Sequence, residues 1–178
     1  MSPELEDIRR EMERLTRDWS EVDWHAGPPG KWNTGQILQH LLLTYTGTTR
    51  GLLNLMNSGR LPASKPRWED SWKAFVVTRM GYIPAGGKAT TNLTPSGGLD
   101  PASLRRFYDA LVAMDAMLSD AERRFGRGVK LMMHPFLGPL DAADWRRFHR
   151  THSRHHMKQI RQALRHAPSR TPDHQVSR

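Results

Sequence analysis

The stretch WRRFHRTHSRHHMKQI, residues 145–160, sets four histidines among regularly spaced apolar side chains. Each residue of an α-helix turns the chain by about 100°. On a helix, one narrow sector would therefore contain Trp145, His149, His152, His156 and Ile160. Most arginines of the stretch fall on the remaining surface, and His155 lies near the edge of the sector. The stretch predicts a long amphipathic helix whose inward face is rich in histidine.

Similar apolar periodicity and capping residues extend along the rest of the chain. They predict helices, counting the last one, at residues 3–19, 33–56, 68–80, 100–125 and 141–166. Connections rich in Gly and Pro separate them, and we find no convincing strand and no repeat. The pattern predicts an all-α fold, namely an antiparallel four-helix bundle with one extra short helix and long connecting loops.

Length and composition indicate one domain. The chain has 178 residues, a net charge of +9 and no cysteine. We expect the bundle domain to span residues 1–166 and a disordered basic tail to span 167–178. No apolar run approaches the ~20 residues that cross a bilayer, and the N-terminal segment lacks the apolar core of a secretion signal. We therefore expect a cytoplasmic protein that does not contact membranes.

The positive charge is concentrated in residues 145–178, which makes nucleic acid a candidate partner. The sequence lacks the interleaved aromatic residues of single-strand binders, and it shows no helix-turn-helix pattern. A solvated helix face is the favoured interpretation, so nucleic acid is not the expected partner. A steep salt dependence of DNA affinity would reverse that choice.

The histidine pattern predicts a metal site. His152 and His156 stand at positions i and i+4, the spacing with which one helix offers two nitrogens to one metal ion. His40, in the apolar segment QILQHLLLTY at 36–45, is the candidate third ligand from another helix. Three neutral imidazoles suit Zn²⁺ or Ni²⁺ ahead of Fe²⁺, Co²⁺ or Mn²⁺, and they leave an open coordination position. A packed core of hydrogen-bonded histidines is the alternative.

Neighbouring polar residues would have to orient these imidazoles. The candidates are Gln36, Gln159 and His149, of which His149 is also an alternative ligand. The other histidines receive simpler interpretations: His25, His134 and His174 as solvent histidines, and His166 as a cation at a helix C-terminus.

Two further features near His40 leave alternatives open. Gly47 and Gly51 share its helix face, and glycine inside a helix costs about 1 kcal/mol relative to Ala. Either close helix packing or space for a ligand would explain them, with packing slightly favoured.

The loop 81–98 is long, and its part from Lys88 to Ser96 would form either a mobile cover or, as we favour, a plain surface loop.

Two segments carry a resemblance to a known family. They are PGKWNTGQILQHL at 29–41 and HPFLGPLDAADWRRFHRTHSRHHMKQI at 134–160. Together they resemble the two signatures of the DinB/YfiT-like metal-binding superfamily, and within it a DinB-like branch with no assigned reaction. The resemblance implies a four-helix bundle, often dimeric, with a divalent metal held by three histidines, here His40, His152 and His156.

The resemblance leaves the reaction open. Some members are transferases that use low-molecular-weight thiols such as bacillithiol or mycothiol, one group isomerises maleylpyruvate, and another resembles metal-dependent hydrolases. We therefore expect a metal-dependent transferase that joins a small-molecule thiol to an electrophilic substrate, or a hydrolase. The alternative is a non-catalytic metal-binding stress or interaction protein, because no carboxylate or hydroxyl of the motif regions is placed as an acid or base. The catalytic residues stay unassigned.

Overall fold

The computed structural model describes residues 1–62, 68–81 and 93–166. Its α-helices are α1 (Pro3–Thr16), α2 (Glu21–Trp24), α3 (Thr34–Ser58), α4 (Trp68–Thr78), α5 (Leu104–Phe125) and α6 (Ala142–Ala163). Short 3-10 turns at Pro101–Ser103 and Leu164–His166 adjoin α5 and α6. The only strands in the described parts are β1 (Met132–His134) and β2 (Gly138–Leu140). The chain is thus mostly helical, consistent with the predicted all-α class.

Side chains cap the starts of α3, of α6 and of the 3-10 turn before α5. Asn33 Oδ1 accepts a hydrogen bond from the Gln36 backbone N–H at 2.8 Å, and Gln36 Oε1 accepts one from the Asn33 N–H at 3.0 Å. Asp141 Oδ1 accepts from the Asp144 backbone N–H at 2.9 Å, and Asp100 caps the 3-10 turn before α5. These bonds satisfy N–H groups that have no partner inside the helix.

The four long helices pack against one another around an apolar core. Helix α3 contacts α5 and α6, and α1 contacts α6 and α5. Fully buried members of the core include Leu5, Leu38, Tyr45, Phe107, Leu118 and Met157. Burial of these apolar side chains is the main driving force for the arrangement, and it holds α3 beside α6, the two helices that carry the candidate ligands.

An ion-pair network joins α5 to α6 inside this packing. Arg146 Nε donates to Asp115 Oδ1 at 2.8 Å, Nη1 donates to Glu122 Oε2 at 3.2 Å, and Nη2 donates to Ser119 Oγ at 2.8 Å. The side chains of Arg146 and Asp115 are only 12% and 3% exposed. The network therefore fixes how α6 sits on α5 at a place where solvent screens little.

The structure corrects two details of the predicted fold. A strand was not expected, but β1 and β2 form an antiparallel hairpin that pairs Met132 with Leu140 and His134 with Gly138. Strands of three residues are too short to show alternation in a sequence, and Gly138, with φ +71°, supplies the backbone conformation that the turn needs. The first helix also ends at Thr16 rather than at residue 19, and α2 follows as a separate turn.

Two predictions lie outside the described residues. They concern the tail at 167–178 and the larger part of the loop at 81–98, of which residues 82–92 are not described. Within the described parts, no helix is long and apolar enough to cross a bilayer.

Candidate metal centre

Three histidines from two helices meet with their ring nitrogens together. His40 projects from α3, while His152 and His156 project from successive turns of α6. His152 Nε2 lies 3.1 Å from His156 Nε2 and 3.3 Å from His40 Nε2. Their potential ligand atoms all lie within 4.8 Å of one another, so the group could hold a metal ion. The three residues singled out from the sequence are thus neighbours in space.

Hydrogen bonds at the outer nitrogens assign the tautomers of two of the rings. His40 Nδ1 lies 2.8 Å from the Leu93 carbonyl oxygen, which can only accept, so Nδ1 carries the proton. His156 Nδ1 lies 2.7 Å from Gln159 Oε1 and donates to it in the same way. Both rings therefore present an unprotonated Nε2 to the centre of the group, which is the form that binds a metal.

The nitrogen spacing fits a shared divalent ion. Zinc–imidazole bonds are about 2.0–2.1 Å long, so two nitrogens bound tetrahedrally to one ion lie about 3.3–3.4 Å apart. The observed separations from His152 Nε2 are 3.1 and 3.3 Å. Nε2 of His40 and Nε2 of His156 both present a lone pair to this centre, and a cation bound there would accept both of them. The donor set therefore fits a divalent metal bound by three neutral histidines.

Packing against aromatic rings and burial from solvent favour the neutral form of the three imidazoles. The Phe148 ring stacks on His152 at 5.3 Å, and the Trp32 ring lies 5.1 Å from that of His40. Burial lowers the pKa of His40, and burial together with neighbouring histidines lowers the pKa of His152 well below its ordinary value and that of His156 to about 3. Desolvation disfavours imidazolium, so the rings are ready to bind a metal at neutral pH.

The residues expected to orient the ligands have different roles in the structure. Gln159 contacts His156 as described, and its Nε2 also lies 3.1 Å from His155 Nε2. Gln36 instead uses its side-chain oxygen in the capping box with Asn33, because it occupies the third position of α3. The Gln36 side-chain oxygen thus caps α3 and does not orient a histidine.

His149 belongs to a separate buried polar pair. It is fully buried, and its Nε2 lies 3.1 Å from Thr48 Oγ1 on α3. Its Nδ1 has no hydrogen-bond partner among the described residues, and burial lowers its pKa to about 3. It is not in the group that could hold a metal. Next to it, the hydroxyls of Tyr45 and Ser153 lie 2.7 Å apart.

The remaining described histidines agree with their predicted positions except for His134. His25 and His166 are exposed, and His155 is half-buried at the edge of α6. The prediction of a solvent histidine in a loop at position 134 is only partly right, because His134 lies in β1 and is half-buried. The β hairpin holds the His134 ring 4.4 Å from Phe148, and burial lowers its pKa to about 4.

The two helical glycines near His40 have different surroundings. A Cβ added at Gly51 would lie 2.8 Å from Met132 Sδ of the hairpin, so this glycine permits close packing. A Cβ at Gly47 would meet nothing within 4 Å, and Gly47 is exposed. Close packing therefore explains Gly51, although the partner is a strand rather than a helix, whereas Gly47 faces open space.

The described end of the 81–98 loop lies against the site. Leu93 supplies the carbonyl that holds His40, and the backbone N–H groups of Gly97 and Gly98 donate to Gln39 Oε1 at 3.1 and 2.9 Å. Residues 88–92 of the proposed cover lie outside the described residues. The neighbouring segment thus contributes directly to the position of a candidate ligand.

Fold and site together define a mostly helical protein with a three-histidine group that could hold a metal ion. A family model described as the DinB superfamily matches residues 4–160, and the chain belongs to this superfamily. The match includes both segments on which the sequence resemblance depends. No curated protein matches the chain significantly, and neither does any solved structure.

Proposed function

We propose that this DinB-superfamily protein binds one divalent metal ion through Nε2 of His40, His152 and His156, with Zn²⁺ or Ni²⁺ favoured. The observation that carries the proposal is the spacing of the three nitrogens, 3.1 and 3.3 Å from His152 Nε2. Membership of the superfamily adds support, because the match to residues 4–160 includes all three histidines.

We further propose that the site serves a transferase that joins a low-molecular-weight thiol to an electrophile, or a hydrolase. When bound, the metal would supply a Lewis acid that lowers the pKa of a thiol or water at the open position. The protein's own part is to hold the rings. Leu93 and Gln159 fix the tautomers of His40 and His156, and Phe148 shields one face of His152 from water.

A non-catalytic metal-binding role is the second candidate. The observation that favours it is the donor set, because the group consists of histidines alone and contains no carboxylate to move a proton. A stress or interaction protein could use such a centre for stability, since any ion that binds only the folded state stabilises it.

A turnover assay separates these two functions. Metal-loaded protein is incubated with a panel of thiols and electrophiles, and with ester and amide substrates. The enzyme proposal predicts turnover that His152→Ala abolishes and that His25→Ala, a change of an exposed histidine, leaves intact. No turnover with any pair, from protein that demonstrably holds metal, would favour the non-catalytic role.

We also propose the antiparallel four-helix-bundle arrangement, a homodimer and a cytoplasmic location. The mutual contacts of the four long helices support the bundle. Self-association is supported by Trp72 and Phe75 on α4, because these large apolar side chains are 58% and 49% exposed and lie side by side, with ring centroids 5.8 Å apart. Light scattering should give twice the chain mass of 20.4 kDa, and a mass of one chain would contradict the dimer.

A further inference from the structure

A basic cleft lies between the C-terminal end of α4 and the outer face of α6. Arg150, Arg154 and Lys158 recur at every fourth position of α6, and Arg79 follows the end of α4. All four line one cavity of about 470 Å³, and no Asp or Glu is among the described residues that line it. Four cations without a carboxylate in the described lining give the cleft a positive electrostatic potential. The cations of α6 also repel one another at this helical spacing.

Only one of these cations is paired within the described parts of the chain. Arg154 donates to Glu11 Oε1 of α1 at 2.6 Å. Arg79, Arg150 and Lys158 form no ion pair with another described residue. In addition, the Nε atom of Arg150 is buried and has no hydrogen-bond partner among them. The charges of these three cations are therefore not neutralised by any described carboxylate, and an oxyanion in the cleft would pair with them.

The cleft is linked to the histidine group through one glutamine. His155 lines the cleft, and its ring lies 5.3 Å from that of His156. Because Gln159 Oε1 accepts from His156, its Nε2 is the donor to His155 Nε2 at 3.1 Å. The remaining N–H of neutral His155 is then Nδ1, a further donor on a side chain that lines the cleft. His155 and Gln159 thus connect the cleft, on the outer face of α6, with the candidate metal centre on its inner face.

We propose that this cleft binds the carboxylate or phosphate group of a small molecule, with Arg150 and Arg79 as its main contacts. Its volume lies within the range of about 300–1,000 Å³ of small-molecule sites, and arginine matches such oxyanions with two parallel hydrogen bonds. Anion binding itself requires no metal.

Calorimetric titration of metal-free protein tests the proposal, with inorganic phosphate and citrate as probes and ionic strength held constant with NaCl. Wild type should bind saturably, and the tighter of the two probes identifies the preferred group. Arg150→Gln and Arg79→Gln should each weaken binding about tenfold, the usual effect of losing a charge-assisted hydrogen bond. Arg161→Gln, the same charge change at an exposed position of α6 outside the cleft, should stay within twofold of wild type.

Two results would overturn the proposal: no saturable binding of either probe by wild type, or an equal loss in the Arg161→Gln control. Thermal unfolding of each variant confirms that it folds. His152→Ala should retain anion binding, because that residue lies outside the cleft. Failure of metal binding would therefore leave this inference standing, and failure of anion binding would leave the metal centre standing.

Discussion

Replacement of Gln159 by Leu should weaken metal binding while leaving the three histidines in place. Gln159 Oε1 accepts from His156 Nδ1 at 2.7 Å and so fixes both the orientation and the tautomer of that ring. Loss of such a partner lowers metal affinity about 10- to 100-fold. That range corresponds to about 1.4–2.7 kcal/mol of binding free energy. Leu has a similar volume, so the change removes the hydrogen bond and leaves the packing.

Competition for zinc with a chromogenic chelator at pH 7 measures the effect. Gln162→Leu, an exposed change on the same helix, is the matched control and should bind zinc as wild type does. Gln159→Glu keeps an acceptor for His156 Nδ1 and should bind at least as tightly as wild type. Zinc affinity of Gln159→Leu within twofold of wild type would refute the assigned role of this contact.

Two further predictions concern stability. Arg146→Met removes the cation paired with the 3%-exposed Asp115 carboxylate, which among the described residues keeps only a hydrogen bond from the Ser2 backbone N–H. This change should lower the free energy of unfolding by about 3–5 kcal/mol in urea titrations. Arg147→Met, at a more exposed pair, should lower it by less than about 1 kcal/mol, and equal losses would contradict the network. In metal-free protein, the His149 pKa of about 3 lies below its ordinary value of 6.5. The unfolded state therefore takes up this proton first, and stability falls as pH falls through that window, by about 1.4 kcal/mol per unit for this residue. His149→Gln should flatten the measured slope by that amount, and an unchanged slope would count against the burial of a neutral ring.

The helices and the histidine group were predictable because both follow from local spacing. A period of 3.6 residues decides which side chains share a face, so His152 and His156 had to lie on one side of a helix. Asn33 and Asp141 marked helix starts because short polar side chains cap free N–H groups. His40 followed as the histidine with the strongest apolar helical surroundings.

Contacts between distant segments were not predictable in the same way. The Leu93 carbonyl that holds His40 is a backbone group, so no residue type announces it. His134 looked like a loop histidine because the hairpin that packs it against Phe148 has strands too short to show a pattern. Gln36 has the right helical spacing from His40 to orient that ring. Its side-chain oxygen instead accepts a hydrogen bond from the Asn33 backbone N–H, which is nearer.

The most direct test of the metal centre is the metal content of zinc-loaded, desalted protein prepared without a histidine tag, measured by mass spectrometry of the element. The three-histidine geometry predicts about one zinc ion per wild-type chain and almost none in His152→Ala. His25→Ala, with its exposed side chain changed, should retain the wild-type content. No zinc retained by wild type, or equal zinc in wild type and His152→Ala, would contradict a metal centre at His40, His152 and His156.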